Sequence, residues 1–198
     1  MPSEFKRTEI FRKLIHISGV IVPLSYYFLP VGVIKILLAS GFAGFLVADV
    51  VRLKFKPAGK VFMLVFGKLI RDYEKKRLTG ATVLAGSSLF VTFAFPRETA
   101  VLVLFFTTLS DGVSTIIGQT LGKHRLYGRK TVEGTLSFLA VSVIIALLYH
   151  GIPLYQRMLA AFFATGVELF VSRCDDNIAI PLGTGLFIEI LKSFTTGG

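Results

Sequence analysis

Asp111 stands in a largely apolar run, Val101–Leu109 on one side and Val113–Leu121 on the other. A carboxylate in such a run must be paired, protonated or bound to a cation. On a helix, Asp111, Thr115, Gly118 and Gly122 point within about 40° of one direction, with Ser114 beside them. A face of that kind meets protein or water, not lipid. Close helix packing accounts for the Gly118–Gly122 pair by itself; it does not account for Asp111. Nor is the stretch a P-loop. Its glycines stand one residue too close, His124 holds the position of the required Ser or Thr, and Lys123 closes a helix instead of opening one.

Two further stretches carry chemistry. Lys123, Arg125, Arg129 and Lys130 fall in a loop that contains Gly128 and leads into Thr131, Glu133 and Gly134. Cations beside a new helix N-terminus make a site for phosphate. A solvated loop, with Glu133 as an ordinary first-turn acid, is the competing reading. Downstream, Glu168 precedes Asp175, Asp176, Asn177 and Pro181. Near Asp111, the acidic pair would supply hard oxygen ligands for Mg²⁺. A turn that ends a helix uses the same residue types, but acids on the side of a basic loop favour a nucleotide–metal site. Glu9, Arg12, His16 and Gly19 share one helix face, where His16 reads first as a satisfied interface histidine. Glu74, Arg77, Thr79 and Thr82 line the start of a later span and read first as an interface anchor.

The elements that must position these residues are membrane helices. The 198 residues are 53% hydrophobic and 17% charged, with a mean hydropathy of +0.71. The apolar residues come in runs of the length that crosses hydrocarbon, roughly 17–25 residues. Spans are expected near 15–29, 31–51, 78–95, 99–121, 134–150 and 158–172, with a shorter apolar stretch at 178–191. The expected fold is all-α: a polytopic membrane protein of six or seven transmembrane helices, forming one domain over residues 1–198. Segment 60–77 is too short in its apolar half to span, and its charges gather toward the end. It is expected as an interfacial amphipathic helix.

The net charge of +10 is uneven. Cations cluster in the N-terminal arm, in 52–77 and in 122–130, each two spans from the next, so the three fall on one side. The positive-inside rule makes that side cytoplasmic. Topology and anionic lipid headgroups account for most of the excess, and nothing offers nucleic acid a groove. The one cysteine, Cys174, excludes an internal disulfide. The first apolar run lacks a small-residue cleavage site and is expected to be retained.

Five motifs in order resemble one family. They are RKLIH at 12–16, LTGAT at 78–82, the Asp111–Gly118–Gly122–Lys123 run, KTVEG at 130–134, and Glu168 followed by Asp175-Asp176-Asn177 and Pro181. Together they resemble the membrane lipid kinases that include dolichol kinase, phytol kinase and CTP-dependent diacylglycerol kinase, themselves similar to phosphatidate cytidylyltransferases. The resemblance implies transfer of the γ-phosphate of CTP, with Mg²⁺, to the hydroxyl of a membrane lipid alcohol, a polyprenol or dolichol first. It implies catalytic or metal roles for Asp111, Asp175, Asp176 and Asn177. A nucleotide site would form from Gly118, Gly122, Lys123, Lys130, Thr131, Glu133 and Gly134, with Arg12, His16, Thr79 and Glu168 as additional positions. Whether Asp111 serves as base or metal ligand stays open, as do the physiological nucleotide and a homodimer. A lipid-phosphate cytidylyltransferase and a small ion-coupled transporter are the rival functions; the absence of an inverted repeat with broken helices speaks against the transporter.

Overall fold

The computed structural model describes residues 4–128, 130–171 and 174–196. Arg129 of the basic loop, and Ser172 and Arg173 before the acidic pair, lie outside them. The described chain is 84% helical with almost no strand.

The N-terminal run forms α1 (Glu4–Ser18) and α2 (Ile21–Phe28). The single span expected over 15–29 is therefore broken. The Gly19 and Val20 amides fold back onto the carbonyls of His16 and Ile17, both at 2.9 Å, and close α1 with a tight turn. Pro30 then caps α3 (Val31–Lys54), whose 24 residues reach about 36 Å, enough for a hydrocarbon core. The amphipathic helix expected over 60–77 is shorter and earlier: α4 covers Lys56–Phe66. Tight turns at Gly67–Leu69 and Asp72–Lys76 follow it. The second turn is held by Glu74, whose carboxylate accepts from the Arg71 amide at 2.8 Å, so the helix does not continue.

Thr79 caps α5 (Gly80–Ala94), accepting from the Thr82 amide. Next comes the central helix of the molecule, α6 (Arg97–Phe105), a wide π-turn (Phe106–Ser110) and α7 (Asp111–Thr120). From Thr99 to Leu104, and again through Thr107, Ser110 and Asp111, its side chains are buried. It is apolar on nearly all faces because it has neighbours on nearly all faces: α2 and α10 against α6, α1 and α8 against α7. α7 ends before Gly122, so Gly122 belongs to the loop beyond the helix face predicted for it.

Where a loop was expected, strands β1 (Arg125–Tyr127) and β2 (Lys130–Thr131) pair antiparallel. Gly128 turns between them at φ +56°, a left-handed conformation that suits glycine. α8 (Val132–Leu148), α9 (Leu154–Phe170) and α10 (Asp176–Thr196) complete the bundle. α10 begins at the acidic pair and runs beyond the 178–191 stretch.

Among the described residues three helices are long and apolar enough to cross a membrane: Val31–Lys54, Arg97–Thr120 and Asp176–Thr195. Gly80–Ala94 and Val132–Leu148 are shorter apolar helices. Phe28, Ile36, Leu148 and Phe194 are at least two-thirds exposed. So much outward-facing large apolar surface is untenable in water and natural in lipid. The chain is an integral membrane protein.

Candidate active site

The site grows from the junction of α1 with α7. RKLIH lies in the last turns of α1, and Lys13 and His16, three residues apart, share a face. That face meets the π-turn. Within it the Asp111 amide donates to the carbonyl of Phe106, five residues back, which releases the Thr107 carbonyl from its usual α-helical partner. His16 Nε2 takes that carbonyl at 2.9 Å and stands 3.5 Å from Asp111 Oδ2. Lys13 Nζ ion-pairs with the same oxygen. Both Lys13 and Asp111 are buried. Gly112 makes the approach feasible, because a Cβ there would collide with Ile17 of α1.

A second ionic group lies between β2, α9 and α10. Lys130 Nζ sits 2.6 Å from Glu168 Oε1 and 3.0 Å from Asp176 Oδ2. Burial pushes its ammonium toward neutrality, but Asp176 and Glu168 outweigh that and hold it above the usual lysine range. It stays charged. The field of Asp111 reaches Lys130 and Asp176, so the two groups form one charged region. Asp175 takes a local role, accepting from the Asn177 amide at 2.9 Å at the start of α10.

Among the described residues, three oxygens of this region are buried without a hydrogen-bond partner: Asp111 Oδ1, Glu168 Oε2 and Asn177 Oδ1. Such groups are costly to leave unsatisfied. No three His, Cys, Asp or Glu side chains among the described residues stand close enough to hold a metal by themselves. Mg²⁺ seldom needs that: it takes one or two carboxylates, water and substrate phosphate oxygens. Unpartnered hard oxygens fit that requirement.

The loop residues divide. Thr131 caps α8, accepting from the Gly134 amide at 3.1 Å. A Cβ on Gly118 would lie 3.0 Å from Thr131 Oγ1, and one on Gly134 would lie 3.0 Å from the Ser114 carbonyl. These glycines thus let α7 and α8 touch backbone to backbone, and Gly122 packs on Thr131 in the same way. Glu133 turns outward to His124 Nδ1 at 2.9 Å. Its own backbone amide and then His124 hold its carboxyl down to about 2. Lys123 is exposed.

Two expected positions lie elsewhere. Arg12 pairs with Glu9 at 3.1 Å, and Glu9 also receives Arg71 at 3.1 Å, tying α1 to the 67–76 turns. Thr79 joins a separate buried group around Asp49. The Asp49 carboxylate accepts from the Thr79 amide at 2.7 Å, Thr82 Oγ1 at 2.6 Å and Arg52 Nε at 2.5 Å. Sequence reasoning missed Asp49, although an acid inside the 31–51 span carried the signal that marked Asp111. It also counted Lys13 only as part of a basic arm; its spacing to His16 was the available clue.

No protein-family model matches the chain, and no solved structure matches it. Over 181 aligned positions it is 26% identical to an uncharacterized protein of Rickettsia prowazekii, covering 86% of this chain and 88% of that one. It is 24% identical over 218 positions to CTP-dependent diacylglycerol kinase 1 of Eremothecium gossypii, covering 94% and 68%. It is also 26% identical over 189 positions to phytol kinase of a Synechocystis species, covering 90% and 77%. Its homologues include lipid kinases. They support the lipid-kinase family that the five motifs resemble, and they are consistent with a phosphotransferase. The alignments to these two lipid kinases span most of this chain.

Proposed function

We propose that this protein is a CTP-dependent kinase that transfers the γ-phosphate of CTP to the hydroxyl of a membrane lipid alcohol, a polyprenol or dolichol first. The observation that carries the reading is the buried Lys13–Asp111 pair beside the Lys130–Glu168–Asp176 group. Such an arrangement sets a buried carboxylate, for the lipid hydroxyl, beside cations for phosphate. The names of two relatives supply CTP and lipid alcohols as substrate classes.

Phosphoryl transfer asks for positioning and charge stabilisation more than covalent chemistry. Asp111 Oδ2 is engaged by Lys13. Its free Oδ1 orients the lipid hydroxyl and receives the proton as the new O–P bond forms. Lys130, with Lys123 at the loop, draws the nucleotide phosphates, and Gly118, Gly122, Thr131, Glu133 and Gly134 shape the α7–α8 wall beside them. Glu168, Asp176 and Asn177, with Asp175 setting their turn, would hold Mg²⁺. That ion, when bound, neutralises charge on the phosphate oxygens. The β–γ bond breaks and CDP leaves.

We place the site on the cytoplasmic side of one membrane domain with six or seven spans, on the strength of its basic loops. Cys174 is exposed and adjoins the acidic turn. An impermeant maleimide is expected to label it only from the cytoplasmic face, and CTP with Mg²⁺ to slow the labelling. The deciding assay uses polyprenol, diacylglycerol and phytol with CTP labelled at either the γ- or the α-phosphate. Label from the γ position is expected in the lipid phase. Label from the α position, with pyrophosphate released, would instead make the protein a cytidylyltransferase.

A further inference from the structure

The end of α3 and the helix α4 line an open cavity of about 390 Å³. Four of its lining residues are cations, Arg52, Lys56, Lys60 and Lys75, and none is an acid. Two of the four are occupied. Arg52 is bound to Asp49 and to the carbonyls of Glu74 and Arg77. Lys75 pairs with Asp72 at 2.8 Å, but Asp72 is almost fully exposed, so water and salt screen that contact. Lys56 and Lys60 have no partner among the described residues. They stand four residues apart on one helix face and repel each other. α4 itself contains no acid to relieve them.

The cavity is built, not incidental. A Cβ at Gly59 would lie 2.7 Å from the Arg52 carbonyl, so glycine is what lets α4 lie against the end of α3. The rest of the wall is apolar, Leu53 and Met63. About 100–180° around α4 from its lysines lies an apolar face, on which Val61 is 63% and Val65 64% exposed. A helix with those two faces lies in the membrane interface, apolar side down, and holds its cations at headgroup depth.

We infer that this cavity binds the phosphate of an acidic phospholipid, with Lys56 and Lys60 on the headgroup and Leu53 and Met63 against the upper acyl chain. Free phosphate would use the cations but gain nothing from the apolar half. The site is separate from Asp111 and does not rest on the proposed reaction.

The test is native mass spectrometry of the purified full-length protein with equimolar phosphatidylglycerol and phosphatidylcholine. Three forms are compared: wild type, Lys56→Gln/Lys60→Gln, and the control pair Lys68→Gln/Lys76→Gln, which removes the same charge outside the cavity. The wild type is expected to retain phosphatidylglycerol preferentially. The cavity pair should lose that preference by roughly thirtyfold, the effect of two lysines at a lipid surface, while the control pair keeps it. Equal loss in both pairs would reduce the effect to net charge and overturn the site. So would no loss in either, or displacement of the lipid by millimolar inorganic phosphate.

Discussion

Asp111 carries two burdens, and its variants separate them. Asp111→Asn is expected to lower turnover by at least about a hundredfold. It also strands the buried Lys13 ammonium, at a cost of about 3–5 kcal/mol. Adding Lys13→Met should restore most of that stability without restoring turnover. A double variant that recovered both would mean the pair only holds α1 in place. Lys130 belongs to the nucleotide side: Lys130→Met is expected to raise the apparent KM for CTP far more than that for lipid. A lipid KM that rose equally would return Lys130 to bracing α9 and α10. Asp111 was legible in sequence because a carboxylate in an apolar helix has few explanations. Lys13 was not, because lysines at the mouth of a first span are ordinary. Only the fold reveals that this one points inward, toward an acid 98 positions away.

Elements were legible where hydropathy and length agree. The helices near 31–51, 78–95, 99–121, 134–150 and 158–172 appear within a few residues of their expected bounds. They were illegible where hydrogen bonding overrides composition. An apolar run cannot reveal that Gly19 closes α1, nor that an extra residue widens the turn before Asp111. The hairpin of β1 and β2 was hidden because its strands are too short to show alternation. The α7–α8 contact gives an element-scale prediction. Gly134→Val must push into the Ser114 carbonyl and the Thr131 side chain, and overpacking of this kind costs about 1–3 kcal/mol. Because Lys123 and Lys130 flank the same junction, the CTP KM should rise as detergent melting temperature falls. Gly166→Ala, where nothing lies within 4 Å, should leave the CTP KM unchanged and should not lower the melting temperature.

At the scale of the molecule, two buried acids anchor the same end through different helices. The group at Asp49 is fully satisfied, whereas the region of Asp111 keeps unpartnered oxygens, the pattern of a structural clasp beside a working site. Asp49→Asn is therefore expected to lower stability by about 3–5 kcal/mol by unpairing Arg52, with CTP and lipid KM unchanged in the protein that remains folded. The Lys13–Asp111 pair has a further consequence, for synthesis. α1 leaves the ribosome well before α7, yet among the described residues the acid that ion-pairs Lys13 lies in that later helix. Until that helix arrives, Lys13 has to remain hydrated, so α1 waits at the membrane surface. Nascent chains stalled before and after residue 111 has cleared the ribosome should differ accordingly. A cysteine placed at Ile17, which packs on Gly112 one turn from an intact Lys13, is expected to react with a water-soluble maleimide in the shorter chain and to be shielded in the longer one.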